Sequence, residues 1–230
     1  MLTVTDYSDN ILNNININLN HNENLTILGS NGAGKSTLAK LLCGISYSKK
    51  VEINGSKLHL LSAKSRSQKI NYIPPKLEIF DEYITVKDFL QLSKLYSSIS
   101  VNETIKLLDL ESLENSSCKT LSSGEQQRVL LASSLLHGAM ITIYDEPTAN
   151  LDPNRTVEIF EILKSNRIKS RIVITHDLTL AFRLGYRVLY MDKGKIVFDR
   201  ESEKFFISSN LKKFFGDSLK RVDDYFVVNL

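Results

Sequence analysis

Nine consecutive residues, Gly29-Ser30-Asn31-Gly32-Ala33-Gly34-Lys35-Ser36-Thr37, restrict what this chain can fold into more than any other feature. They follow a short apolar run, Leu25 to Leu28. After them, Leu38, Leu41 and Leu42 recur at helical spacing, and Gly44 supplies a C′ stop. Strand, glycine-rich turn and helix in that order are the context in which G-x-x-x-x-G-K-[ST] binds phosphate. Glycines suit the turn because backbone N–H groups can approach phosphate oxygens with no Cβ in the way. The helix beginning at Lys35 adds the positive end of its dipole. Lys35 is expected to neutralise the β- and γ-phosphates, and the Ser36 hydroxyl to ligate Mg²⁺. Alone, the segment implies binding of a nucleoside triphosphate and no more.

The rest of the chain supplies a frame for that loop. Ile11, Asn13, Ile15, Ile17 and Leu19 alternate, which predicts a strand with one buried face over 11–19. From Thr85 to about Leu113 the spacing predicts two helices, one with Val86, Phe89 and Leu90, the next with Ile105 and Leu108. A third is expected from near Gly124, with Val129, Ala132, Leu135 and Leu136 inward. Strands return at Ile141–Tyr144, Ile172–Thr175 and Val188–Met191, with a helix after Pro153. Apolar strands alternating with helices predict a mostly parallel sheet covered on both faces. Asp192-Lys193-Gly194 followed by Ile196–Phe198 reads as an edge hairpin.

Composition narrows the alternatives. With 230 residues and 42% hydrophobic content, the chain can bury a sizeable core. A net charge of +3 without a basic run argues against nucleic acid as a partner. The two cysteines, Cys43 and Cys118, lack metal spacing and read as reduced, buried thiols. No apolar run approaches the roughly 20 residues that span a bilayer, and the Asn-rich start with Asp6 and Asp9 is no signal peptide. A soluble chain is expected, attached to membrane only through a partner.

Two further positions carry candidate chemistry. Ile141–Tyr144 is followed by Asp145-Glu146, acids placed at the carboxyl end of a strand, where such sheets bind ligand. Asp145 is expected to hold Mg²⁺ through a water, leaving Glu146 to polarise the attacking water. A third strand, Ile172–Ile174, leads into Thr175-His176-Asp177. A lone loop histidine is more often structural or solvated, but His176 at a strand end can contact a γ-phosphate.

Together with Leu121-Ser122-Ser123-Gly124-Glu125-Gln126-Gln127, these pieces resemble the ATP-binding cassette (ABC) ATPases over nearly the full chain. Leu121–Glu125 looks like that family's L-S-G-G-Q signature at a helix start, and Asp145 to Asp152 looks like its Walker B and D-loop in continuous order. His176 matches the switch histidine. Tyr7 lies close to where the family places an aromatic that stacks on adenine; an edge-strand tyrosine packing on the sheet is the alternative. The resemblance implies an α/β P-loop NTPase core with a mostly parallel sheet, an antiparallel β subdomain and an inserted helical subdomain. Its boundaries would be 1–75 and 138–200 for the nucleotide-binding core, 76–137 for the helical subdomain and 201–230 for a C-terminal helix or extension. It also implies ATP with Mg²⁺ and a second ATPase subunit. In that dimer Ser122, Ser123, Gly124 and Glu125 face the other protomer's Gly29–Thr37 loop, and Asp152 of the D-loop run is a further nucleotide-binding candidate. Transmembrane permease subunits at the cytoplasmic face of the membrane complete the assembly. Two departures stand out: Pro75 occupies the slot of the Q-loop glutamine in Ile70–Lys76, and Ser123 replaces the first signature glycine.

Leu58–Ser62, Ile70–Pro74 and Leu211–Gly216 are similar to segments of siderophore, haem and cobalamin importer ATPases. The expected function is therefore an ATPase that powers import of such a solute. Another ABC transporter, a soluble ABC ATPase or a regulator with degraded catalysis are the alternatives.

Overall fold

The computed structural model describes residues 1–149, 151–165 and 167–229. In chain order the elements are β1 Leu2–Tyr7, β2 Ile15–Leu19, β3 Leu25–Gly29, α1 Lys35–Leu42, β4 Val51–Ile53 and β5 Ser56–Lys57. Next come α2 Ala63–Lys69, β6 Ile70–Ile73, α3 Val86–Ser93, α4 Val101–Leu107, α5 Ser123–His137, β7 Ile141–Asp145 and α6 Pro153–Lys164. The chain continues through β8 Ser170–Thr175, α7 Leu178–Leu184, β9 Arg187–Asp192 and β10 Lys195–Arg200. It closes with α8 Ser202–Phe205, α9 Ser208–Phe215, β11 Leu219–Val222 and β12 Tyr225–Val228. These elements form two compact units, one of residues Met1–Leu60 with the chain from Ile172 onward, the other Leu61–Arg171. The expected α/β class, with parallel and antiparallel sheets, is observed.

In the first unit β3 is buried at all five positions. Parallel partners flank it on both edges: Leu25 pairs with Ile172 of β8 and with Arg187 of β9. β10 returns antiparallel along β9, as the Asp192-Lys193-Gly194 turn predicts. A second, antiparallel sheet runs β2-β1-β4-β5. In β2 the predicted alternation holds, with Ile15, Ile17 and Leu19 buried. It fails upstream: Ile11 is 53% exposed and Leu12 is fully buried. The Asp9 carboxylate accepts the Ile11 and Leu12 amides, and Asn14 adopts φ 50°, so the backbone there is a turn rather than a strand.

Aromatic packing covers one face of this unit's sheet. Leu28, Val188, Tyr190, Phe205 and Phe206 form a buried cluster, with Phe182, Phe198, Phe214 and Phe226 packed against it. Leu28 belongs to that cluster, so the residue just before the glycine-rich loop is anchored from below. The helix expected near Leu211 is α9. An unforeseen hairpin, β11–β12, follows it and lays Arg221 4.3 Å over the Phe182 ring.

The second unit pairs β6 in parallel with β7, Ile73 opposite Tyr144. Between them lie α3, α4 and α5, the helices that the apolar spacing predicts. Each begins with a reciprocal capping box: Thr85 with Asp88, Ser100 with Glu103, and Ser122 with Glu125. α5 is buried from Gln127 to Leu136, and the Arg128 guanidinium donates to the Asp109 carbonyl at 2.7 Å. Among the described residues no helix is long and apolar enough to cross a membrane.

Arg187 ties the first unit's β-structure together. Its guanidinium donates to both carboxylate oxygens of Asp199, at 2.6 and 2.7 Å, to Glu23 at 2.9 Å and to the Asn18 carbonyl at 2.7 Å. Burial pushes the Glu23 carboxyl upward, but the Asn20 amide and the Arg187 guanidinium outweigh it and hold its pKa below the usual value. Because the folded pKa is depressed, this contribution is present above the ordinary glutamate pKa of about 4.3 and is lost as pH falls through the folded value. Arg187→Ala should destabilise the protein by about 2–4 kcal/mol in urea unfolding at neutral pH, less than for a fully buried pair, with the deficit shrinking in acid.

Candidate functional site

The first unit builds a glycine-rich turn on the end of its central strand. β3 stops at Gly29, where a Cβ would stand 2.5 Å from the Met191 carbonyl oxygen, so no larger residue fits there. Ser30, Asn31 and Gly32 are exposed at the crest of the turn, while Ala33 is buried, its N–H donating to Ser30 O at 3.1 Å. Gly34 turns the chain into α1 at φ 97°, a left-handed conformation that glycine adopts at no steric cost. Lys35 is the first helical residue and only 7% exposed. Its ammonium donates to the carbonyls of Gly29 at 2.8 Å and Ser30 at 3.1 Å, which holds a positive charge within the turn. Ser36 is exposed and Thr37 half-buried on the same first turn.

Two other expected residues belong to this unit. His176 is exposed immediately beyond Thr175, the β8 residue paired with Leu28. That register sets it level with Gly29 at the carboxyl edge of the sheet, as expected. Tyr7 is half-buried at the end of β1, and its hydroxyl donates to Asp9 Oδ2 at 2.9 Å. Burial together with this bond to a carboxylate raises the Tyr7 pKa.

In the second unit β7 is buried throughout and delivers Asp145, 1% exposed, at its carboxyl end. Asp145 Oδ2 accepts the Tyr72 hydroxyl at 2.9 Å, while Oδ1 is buried without a hydrogen-bond partner among the described residues. A buried carboxylate oxygen left in that state fits the expected role of binding a cation or its coordinated water. Glu146 follows at φ 52°, an uncommon conformation for a non-glycine residue that costs about 1–3 kcal/mol and tends to gather at functional sites.

Ser122 is the N-cap of α5. Its hydroxyl and amide both donate to Glu125 Oε2, at 2.7 and 2.8 Å. The Ser122 hydroxyl bond, followed by its backbone bond, lowers the Glu125 pKa. Ser123 is exposed and Gly124 half-buried, so serine at 123 is accommodated without displacement. Asp152 caps α6 through the Arg155 amide at 3.1 Å, a local structural role that the sequence reading missed. Asn150 of the same run lies outside the described residues. Pro75 offers no side-chain oxygen, but its carbonyl accepts from the buried Gln127 side chain at 2.6 Å. Sequence reasoning singled out neither Tyr72 nor Gln127. Tyr72 entered the sequence reading only as part of the Ile70–Lys76 segment, with no role of its own.

Comparison with known proteins places these features. A model of the ABC transporter family matches residues 12–149. An ABC transporter ATP-binding protein of Clostridium tetani is 34% identical over 199 residues, 81% of this chain and 45% of that protein. One from Staphylococcus aureus is 34% identical over 205 residues, 85% of this chain and 36% of that protein. The chain thus spans less than half the length of these two relatives. Among solved structures, a bacterial ABC transporter cassette determined as a dimer matches with a TM-score of 0.75 at 26% identity, covering 88% of this chain and 99% of that one. The structure of cbiO1 from Clostridium perfringens, part of the ABC transporter complex cbiONQ, matches with a TM-score of 0.74 at 25% identity, over 92% of each chain.

The Tyr72–Asp145 bond generates a test. Tyr72→Phe removes a donor from a buried carboxylate and should cost about 1–3 kcal/mol of stability, measured by urea unfolding.

Proposed function

The chain belongs to the ABC transporter family, and on that premise we propose that it is the ATP-hydrolysing subunit of a membrane transporter. The observation that carries this reading is the Lys35 ammonium held inside a glycine turn at the end of a fully buried parallel strand. That arrangement joins a fixed positive charge, backbone donors and a helix N-terminus, which together receive a polyphosphate.

The site residues take the following roles in this proposal. Gly29, Ser30, Asn31, Gly32, Ala33 and Gly34 wrap the phosphates, Lys35 neutralises the β- and γ-groups, and Tyr7 stacks on adenine. Ser36 and Asp145 hold Mg²⁺, and Thr37, next to Ser36 on the first turn of α1, adds a phosphate contact. Bound Mg²⁺ would spread charge from the β- and γ-oxygens and favour loss of the γ-phosphoryl group. Glu146 accepts the proton of the attacking water, and His176 hydrogen-bonds the γ-phosphate. Ser122, Ser123, Gly124, Glu125 and Asp152 serve the nucleotide of a second ATPase subunit, most simply a copy of this chain. The dimeric form of the similar bacterial cassette supports this pairing.

A permease is the proposed membrane partner, and through it the chain sits at the cytoplasmic face. A cavity of about 370 Å³ in the second unit supports that attachment, lined by Tyr72, Pro74, Leu77, Phe89, Leu92 and Leu95. Leu92 is 72% and Leu95 50% exposed, so an apolar segment of the permease gains surface by seating there. We assign the solute to the iron-siderophore, haem or cobalamin class on the likeness of Leu58–Ser62, Ile70–Pro74 and Leu211–Gly216 to such importers. The resemblance to cbiO1, itself part of a transporter complex, supports assembly with membrane subunits.

Removing the proposed base tests the catalytic assignment. Glu146→Gln should lower steady-state phosphate release by about 10²–10⁴-fold and retain ATP binding. Equal release from both proteins would contradict it.

A further inference from the structure

We propose that Asp9 is a positioning residue that sets the phosphate loop and Tyr7 from a single carboxylate; this rests on the ATP-binding reading above. Asp9 Oδ1 accepts the amides of Ile11 at 2.7 Å and Leu12 at 2.6 Å, and Oδ2 accepts the Tyr7 hydroxyl at 2.9 Å. Its own N–H donates to the Leu12 carbonyl at 2.8 Å, and the Asn14 amide donates to Ser8 Oγ at 2.9 Å. The connection between β1 and β2 is thereby closed into a compact turn around one side chain.

Two arms lead from this turn to the phosphate loop. In the first, Leu12 is fully buried under the loop, and a Cβ on Gly34 would stand 3.0 Å from its Cδ2. In the second, the Asn13 amide donates to the Gly194 carbonyl at 2.8 Å, and the Gly194 amide donates to the Ala33 carbonyl at 3.1 Å. A Cβ on Gly194 would overlap the Ile11 carbonyl oxygen, so only glycine allows the turn and the β9–β10 hairpin to meet this closely. The Ala33–Gly34 peptide is planar and trans. With the Ala33 carbonyl turned toward Gly194, the Gly34 N–H is aimed the opposite way. Asp9 therefore fixes the plane of a peptide whose amide serves the phosphates, and at the same time fixes the phenol proposed to meet the base. Aspartate suits both tasks, because a carboxylate takes three donors without turning a hydrogen toward any of them.

The test measures Mg·ATP and inorganic tripolyphosphate binding by calorimetry, with kcat and KM from phosphate release. Asp9→Ala should weaken both ligands roughly tenfold, as expected for losing hydrogen bonds to a charged group, and raise KM while kcat changes little. Asp9→Asn keeps the Oδ1 acceptor and can bond the Tyr7 oxygen through its amide, so it should restore binding. Tyr7→Phe loses only the phenol arm, and should weaken ATP while leaving tripolyphosphate at the wild-type value. Wild-type affinity for both ligands in folded Asp9→Ala overturns the inference. If Asp9→Ala does not fold, Asp9→Ser, whose side chain is too short to hold both arms, takes its place, and wild-type affinity for both ligands in that folded variant overturns the inference. Failure of the wild-type protein to bind ATP would sink the function proposed above rather than the role of Asp9.

Discussion

β3 cannot move without unmaking the first unit. It pairs in parallel along both edges, is buried at all five positions, and ends with Gly29 pressed against the Met191 carbonyl. Leu28, one residue earlier, is locked into an aromatic cluster built from the carboxyl-terminal helices and hairpin. The glycine turn is consequently launched from a fixed point in a fixed direction. Its carbonyls converge on the Lys35 ammonium, and its register places His176 alongside. Rigidity matters here because a donor aimed in advance at a phosphate costs nothing to reorganise when charge develops.

How much of this was legible in the sequence depended on the range of the interaction. The nine-residue turn and the Ile15–Leu19 alternation are encoded within a few residues, and propensity or steric rules read them directly. The alternation misled at Ile11 and Asn13 because a side-chain acceptor, Asp9, competes with strand pairing in a way that apolar spacing does not register. Tyr72 on Asp145 and Gln127 on Pro75 join residues distant in the chain, and no periodic pattern marks either pair. The β11–β12 hairpin escaped notice because its strands are short and mostly exposed, with little apolar alternation to betray them.

Pro75 alters how the second unit holds its loop after β6. Where the resemblance leads one to expect a flexible glutamine, the chain has a ring that restricts φ and a carbonyl tied to Gln127 at 2.6 Å. Gln127 lies on α5, the helix that opens with Ser122 and Glu125. The loop and α5 are thus joined by a side chain of the helix bonding to the loop's backbone. Asp145 is held by Tyr72 from the same strand, β6, that leads into Pro75. Both contacts are local to this unit, and both fix atoms on the chain between β6 and β7.

The central claim is that the Gly29–Thr37 turn binds the triphosphate of ATP through Lys35. Calorimetric titration of the protein with ATP and Mg²⁺, set beside the same titration of Lys35→Ala, tests it most directly. The account predicts saturable binding by the wild-type chain and a loss of at least tenfold in affinity for the variant, in keeping with removal of a charge-assisted contact. Equal affinity in the two proteins, with the variant folded, would contradict it.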